Sequence, residues 1–466
     1  MVIKGLLQRK HTLCGLSFVI VPFRICEVTR MRLYEELGKR ILFLDGAMGT
    51  QLQAHGLKPG ELPETWNLSK PEVVKSIHRA YLDAGTDIIL TNTFGANGLK
   101  YPDRVEEIVA AGVENAKQAV TECGRLAYVA LDMGPTGKLL KPMGTLDFEE
   151  AVALYKQVAE IGEKAGADLI VIETMSDTYE LKAAVLGAKE GSSLPVMATV
   201  VFSESGNMLT GATPETVAAL LEGLGVDIIG MNCSLGPKQL KPIFARMAAA
   251  VSVPLVISPN AGLPRTEGGR TFYNVSSEEF AEDMVDLIGM GAWIAGGCCG
   301  TTPEHIKALV DKCRDLEPAV LSEKNLTYVS SYSHAVLLGE EVNIVDCIAA
   351  ECEEEYKQAL LEHDIDFVID EAEEKIDDGA DVISVDVCID GIDQAEMLKE
   401  IVYELQSLFD TPLQLCTSNL AALEQALRIY NGKPMVRFVS DDTESRECAA
   451  KLAKKYGGVI EFINLS

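Results

Sequence analysis

Positive charge is scarce in this chain. Its 41 Lys and Arg stand against 70 Asp and Glu, a formal net charge of −29 over 466 residues. A field of that sign attracts neither nucleic acid nor an anionic membrane surface, so both are excluded as partners. Long apolar runs are also missing. The nearest is residues 16–23, downstream of Lys4, Arg9 and Lys10, and it is too short to span a bilayer. It has the loose outline of a secretory signal, but Arg24, Glu27 and Arg30 stand where a small-residue cleavage site belongs. Met31-Arg32-Leu33-Tyr34 then opens a helical pattern. Residues 1–30 are therefore expected to be a disordered tail or a mis-called start, with translation beginning at Met31. No Gly-rich dinucleotide fingerprint follows the first apolar run. Twelve cysteines in a chain of this length do not read as a secreted disulfide framework, and a reducing cytoplasm suits them better.

What is present is a rhythm. The length suggests two to three domains, and 47% hydrophobic with 24% charged residues is ordinary for a globular protein. From residue 41 onward short apolar runs alternate with stretches of helical period. The runs are 41–44, 87–90, 127–131, 168–172, 196–201, 227–231, 254–257 and 292–295. Between and after them lie predicted helices at 70–84, 105–123, 148–165, 178–190, 214–224, 238–250, 276–289 and 303–314. Eight strands alternating with helices predict an α/β fold, a closed (β/α)8 TIM barrel. The open doubly wound sheet is the alternative, and it lacks its fingerprint.

Nearly every run ends in a polar or Gly-containing cluster. Examples are Asp45-Gly46-Ala47-Met48-Gly49-Thr50, Thr91-Asn92-Thr93-Phe94, Asp132-Met133-Gly134, Glu173-Thr174-Met175 and Asn232-Cys233-Ser234. The last run leads into Gly296-Gly297-Cys298-Cys299-Gly300. In a barrel these ends share one rim, where active sites sit. Turn chemistry explains each cluster singly, but not why cysteines follow the sixth and eighth strands. The adjacent cysteines admit three readings. As a vicinal disulfide they would be strained, because neighbouring Cα atoms lie ~3.8 Å apart, below the usual range of ~4.4–6.8 Å. As buried core thiols they would not need flanking glycines. As metal ligands they would use the turn to aim both sulfurs at one point, joined by Cys233. Spacing alone leaves the second and third readings open.

These motifs decide it by resemblance. Leu44-Asp45-Gly46-Ala47-Met48-Gly49-Thr50, Thr91-Asn92-Thr93-Phe94, Glu173-Thr174-Met175, Gly230-Met231-Asn232-Cys233 and Gly296-Gly297-Cys298-Cys299-Gly300 resemble, in order, the homocysteine S-methyltransferase family. They are most similar to the homocysteine-binding barrel of cobalamin-dependent methionine synthases. The resemblance implies a methyltransferase of homocysteine with Zn2+ held by Cys233, Cys298 and Cys299, and no catalytic residue beyond that site. It implies substrate contacts from Asp45, the turn Gly46, Ala47, Met48 and Gly49, Thr91, Asn92, Thr93, Glu173 and Asn232. The chemistry is coherent, since a free thiol of pKa ~8.5 is only a few per cent thiolate at neutral pH. Three protein thiolates on zinc leave the fourth position open, as catalytic zinc requires.

The barrel is expected over 31–315, a linker over 316–325, and a second α/β unit over 326–466. That unit has predicted strands at 381–385, 412–415, 435–439 and 459–463 and helices at 351–363, 365–378, 395–409, 421–430 and 445–456, about half a barrel's worth. Leu338-Gly339-Glu340-Glu341-Val342-Asn343, Asp378-Gly379-Ala380-Asp381 and Lys455-Tyr456-Gly457-Gly458 resemble the start of a methyltetrahydrofolate (pterin)-binding domain. Ser384 and Asp386 replace its strand-end Asp and Asn, Cys416 replaces a further Asp, and Arg437 and Phe438 replace Asn-Ser. Folate binding is therefore not carried over, and the unit is expected to be structural or a docking or homo-oligomer surface. No Asp-x-His-x-x-Gly stretch occurs. A methylcobalamin donor would thus arrive on a separate corrinoid protein. The alternatives are a small sulfonium or betaine donor, or a non-enzymatic subunit with structural zinc.

Overall fold

The computed structural model describes residues 33–267, 270–339, 341–348 and 354–464. The expectation of a tail or mis-called start over residues 1–30 lies outside them. Eight parallel strands are present: β1 (Leu42–Phe43), β2 (Ile88–Leu90), β3 (Tyr128–Met133), β4 (Leu169–Met175), β5 (Val196–Val200), β6 (Ile228–Asn232), β7 (Leu255–Ser258) and β8 (Ala292–Ala295). Their order in the sheet is β1-β8-β7-β6-β5-β4-β3-β2. A parallel bridge from Leu44 to Ile88 joins the two end strands, so the sheet closes into the expected barrel.

The alternation of side chains along each strand builds two apolar layers. Leu169, Val171, Tyr128, Ala130, Met197, Ile228, Val256 and Ile294 point inward and fill the barrel. Ile170, Ile172, Val196 and Ile229 point outward into the main core, against the helices. The helix Val105–Cys123 shows why these segments wind as they do. Val105, Ile108, Val109, Gly112, Val113, Ala116 and Ala119 form one buried stripe, the i, i+3, i+4 pattern of an amphipathic helix. Glu106 and Glu107 complement its N-terminal turn, and Gly124 ends it at φ 67°. Among the described residues, no helix is long and apolar enough to cross a membrane.

A short antiparallel hairpin, Tyr328–Ser330 with Ala335–Leu337, leads into a second sheet. Its five parallel strands run in chain order: β9 (Ile344–Ile348), β10 (Val382–Asp386), β11 (Leu413–Thr417), β12 (Met435–Val439) and β13 (Val459–Ile463). The sequence pattern marks four of these. It misses β9 because Asp346 interrupts the apolar run, and this is tolerable because β9 is an edge strand and leaves that carboxylate exposed. Arg437 on β12 donates to Asp346 at 2.8 Å and to Glu461 on β13 at 2.9 Å. The hairpin covers the lower end of this sheet, with Val329 and Val336 packed on Val382 and Met435.

The two sheets are tied through the barrel's outer helices. Lys182, fully buried, donates to the carbonyls of Leu427 (2.7 Å) and Tyr430 (2.5 Å), the C-terminal end of the helix Leu420–Ile429. A cation there meets the negative end of the helix dipole. Arg428 pairs with Glu149 and Glu190 across the same contact, each at 2.6 Å.

Candidate functional site

The strand ends converge as the rim argument requires. Cys233 follows β6, and Cys298 and Cys299 follow β8. The three sulfurs lie within 4.8 Å of one another, with Cys233 Sγ and Cys299 Sγ 3.8 Å apart. Backbone hydrogen bonds fix the loops that carry them. Cys233 N–H donates to Ser258 O (3.0 Å), Cys298 N–H to Pro259 O (2.8 Å) and Ala261 N–H to Cys299 O (3.0 Å). Turning the sixth strand toward the eighth strains the chain. Cys233 and Ser234 both sit in the left-handed region, at φ 56° and 53°, where a non-glycine residue costs on the order of 1 kcal/mol or more. Gly300, at φ +81°, supplies the same conformation after the Cys pair without that cost, and there a Cβ would strike the Tyr273 ring.

The sulfurs floor one side of a cavity of about 300 Å3 that also takes in Asp45, Asp132, Glu173, Asn232 and the turn Gly46, Ala47, Met48 and Gly49. Asp45 is buried and accepts from Leu90 N–H at 2.9 Å. Asn232 is the hub. Its Nδ2 donates to Glu173 Oε2 (3.0 Å) and Thr174 Oγ1 (2.8 Å) and lies 4.0 Å from Cys298 Sγ. Its Oδ1 accepts from Thr174 N–H and Thr199 Oγ1, both at 2.9 Å. Thr174 is itself at φ 60°, so the side chain of Asn232 holds a strained residue of β4 in place.

The cavity is anionic, and among the described residues no Lys, Arg or His side chain lines it. Burial raises Asp45 well above the usual carboxylate range, aided by the charge of Glu173 and opposed by the Leu90 N–H. Burial raises Asp132 likewise, with Glu173 and Asp45 adding to it. Glu173 is pushed up to about 7, by burial first and then by Cys299. The three thiols act on one another. Hydrogen bonds from Cys233 and Cys298 push Cys299 down, to about 3, while Cys298 is held up by its contacts with Cys233 and Cys299 and by burial. Three thiolates side by side repel one another. A cation at their centre would offset that repulsion.

Of the positions singled out in the sequence, Asp45, Gly46, Ala47, Met48, Gly49, Thr91, Asn92, Glu173, Asn232, Cys233, Cys298 and Cys299 line this one cavity. Thr93 does not. It is buried behind the rim, where its Oγ1 donates to Asp132 O at 2.7 Å and meets Thr91 Oγ1 at 2.6 Å. Asn92 turns its amide away to Pro63 O and Asn67 Oδ1. Sequence reasoning missed Asp132 as a site residue, although it marked the cluster after the third strand. It is buried and lines the cavity, and among the described residues no group donates to its Oδ1. Glu64 was also missed. It reaches the cavity from the loop after β1, held by Gly95 N–H (2.7 Å) and Tyr101 OH (2.6 Å), and nothing near it in sequence signals that.

Set beside known proteins, the chain matches the homocysteine S-methyltransferase family model over residues 42–313. It is similar to the methionine synthases of Mycobacterium tuberculosis (31% identical over 449 residues) and Mycobacterium leprae (30% over 455 residues). Each match covers 89% of this chain, and so reaches into the second sheet, but 37% of the relative, so the chain spans little more than a third of those proteins' length. Among solved structures, the metallated form of the Escherichia coli homocysteine methyltransferase MmuM superposes with a TM-score of 0.52 at 24% identity. That likeness covers 62% of this chain and 100% of that one, and it speaks for the barrel fold.

Proposed function

The chain belongs to the homocysteine S-methyltransferase family, and from that premise we propose that it transfers a methyl group to the thiol of homocysteine, giving methionine. The observation that carries the reading is the meeting of Cys233, Cys298 and Cys299 beside a cavity lined by carboxyl groups. The donor set fits zinc. A tetrahedron with Zn–S bonds of ~2.3 Å has edges of ~3.8 Å, and the Cys233–Cys299 separation is 3.8 Å. Three thiol donors leave a fourth position open, which favours a catalytic over a structural role. When bound, zinc supplies a Lewis acid that favours the thiolate form of a substrate thiol at neutral pH.

The protein's own residues orient the substrate. An amino acid brings an ammonium group, and the anionic cavity lacks a cation of its own. Asp45, Glu173 and the unpartnered Oδ1 of Asp132 would receive it, and its charge would lower the raised carboxyl pKa values. The turn Gly46, Ala47, Met48 and Gly49 closes the cavity on the side of β1. Asn232 couples the two halves of the site, since one amide touches both Glu173 and the surroundings of Cys298. Holding thiol and methyl group in line is the larger part of the catalytic task, because orientation alone is worth ~7–11 kcal/mol in well-aligned reactions.

The methyl donor is a methylated corrinoid protein in this reading. The similarity to methionine synthases, which reaches from the barrel into the second sheet, supports it, and a reducing cytoplasm is where three free thiols would persist. The second sheet serves as a structural or docking unit. A donor panel tests the proposal. Purified chain with homocysteine and a methylated corrinoid protein should form methionine, and adenosylmethionine, S-methylmethionine and betaine should not replace the donor. Absence of methionine with every donor would overturn the reading, and turnover with a small donor alone would reassign it.

A further inference from the structure

A second convergence of thiol and carboxyl groups lies on the other sheet. Asp386 ends β10, Cys388 follows it by two residues, and Cys416 lies near the end of β11. Asp386 and Cys416 are register partners on adjacent parallel strands, so their side chains leave the sheet on one face. Cys388 is brought back over them by its own backbone, its N–H donating to Asp386 Oδ1 at 2.7 Å. Val387 N–H donates to Cys416 O at 3.3 Å and pins the same turn to β11. The result is one carboxylate oxygen and two sulfurs within 4.8 Å of one another. Both cysteines are free. Cys416 is buried, while Asp386 and Cys388 are half-buried and leave the cluster open to solvent on one side.

We propose that Asp386, Cys388 and Cys416 form a second metal site, for a divalent cation of the zinc class. Thiolate sulfur selects zinc-type ions over magnesium or calcium, and Asp oxygen is an accepted third donor. Each thiol would release its proton to solvent as the ion binds, giving a two-sulfur, one-oxygen set completed by solvent or by a ligand from outside. The carboxylate distinguishes this reading from a redox pair: a disulfide needs no third group, whereas a cation gains a third donor from an Asp386 oxygen within 4.8 Å of both sulfurs. The position is the C-terminal rim of a parallel sheet, where β/α folds place their sites.

The test uses the full chain, stripped by chelator and titrated with Co2+, whose sulfur charge-transfer absorption reports thiolate ligation. The double variant Cys388→Ser/Cys416→Ser should bind about one equivalent fewer than the parent. Cys298→Ala, lacking the barrel set, should retain charge-transfer intensity that disappears when Cys416→Ser is added. If Cys298→Ala does not fold, the comparison of the parent with the double variant still decides. Equal stoichiometry in parent and double variant would overturn the proposal. So would an intact mass of freshly purified protein showing a 388–416 disulfide, which would mark the pair as a redox couple.

Discussion

Removing the side chain of Asn232 should loosen the candidate site without touching a sulfur. Asn232→Ala leaves Thr174 N–H, Thr174 Oγ1, Thr199 Oγ1 and Glu173 Oε2 each short of one hydrogen bond. A lost neutral bond costs about 1 kcal/mol and one to a charged group about 1.5–3 kcal/mol. Thr174, at φ 60°, also loses the contact that holds it in a conformation costing roughly 1–3 kcal/mol. Part of this is recovered by relaxation, so we expect a net loss of about 3–4 kcal/mol. At about 2.1 cal/mol/K per residue the barrel unfolds with an entropy of about 0.6 kcal/mol/K, so this is a drop of roughly 6 °C in melting temperature. Metal affinity should fall about 10–100-fold, the usual cost of losing a group that orients ligands. Thermal melting and Co2+ titration of parent and variant measure the two effects. A variant that melts within about 1 °C of the parent, which is the ±0.5 kcal/mol of an ordinary surface change, and binds Co2+ unchanged would refute the hub role.

Cys298→Ala should lose the barrel metal and all turnover while keeping the parent's circular dichroism, and chelation should abolish turnover that added Zn2+ restores. Asp132→Asn should raise KM for homocysteine about tenfold with little change in kcat, since it weakens binding common to ground and transition states; an unchanged KM would remove Asp132 from the site. His78 is buried, neither ring nitrogen has a partner among the described residues, and burial pushes its pKa down to about 4. The unfolded chain, near 6.5, binds that proton first, so stability present above about pH 6.5 is lost as pH falls toward 4, by about 3 kcal/mol. Urea midpoints at pH 7.5 and 4.5 should therefore converge in His78→Leu by that amount relative to the parent; equal pH dependence in both proteins would exclude the effect.

The barrel was legible because its signals are local. Apolar runs of four to six residues separated by amphipathic stretches give strand and helix by periodicity alone, and all eight runs are strands in the structure. The rim residues were legible as a group because a strand's C-terminal end can be read from where its apolar run stops. β9 was not legible, since Asp346 breaks its apolar run and only its place at the sheet edge keeps that carboxylate in solvent. Glu64 was invisible because its role is set by groups far along the chain. Its partners Gly95, Lys100 and Tyr101 come from the loop after β2.

Sequence by itself determined the barrel's element types and their order, the anionic character of the chain and the barrel cysteines worth suspecting. Those properties follow from side-chain chemistry and short-range pattern. Only the pairing of strands within each sheet decided which of the described cysteines meet, which way Thr93 and Asn92 face, and that Asp132 ends with an oxygen inside the cavity that has no partner among the described residues. Those depend on register between strands far apart in the chain, and a shift of one residue would turn each side chain to the opposite face.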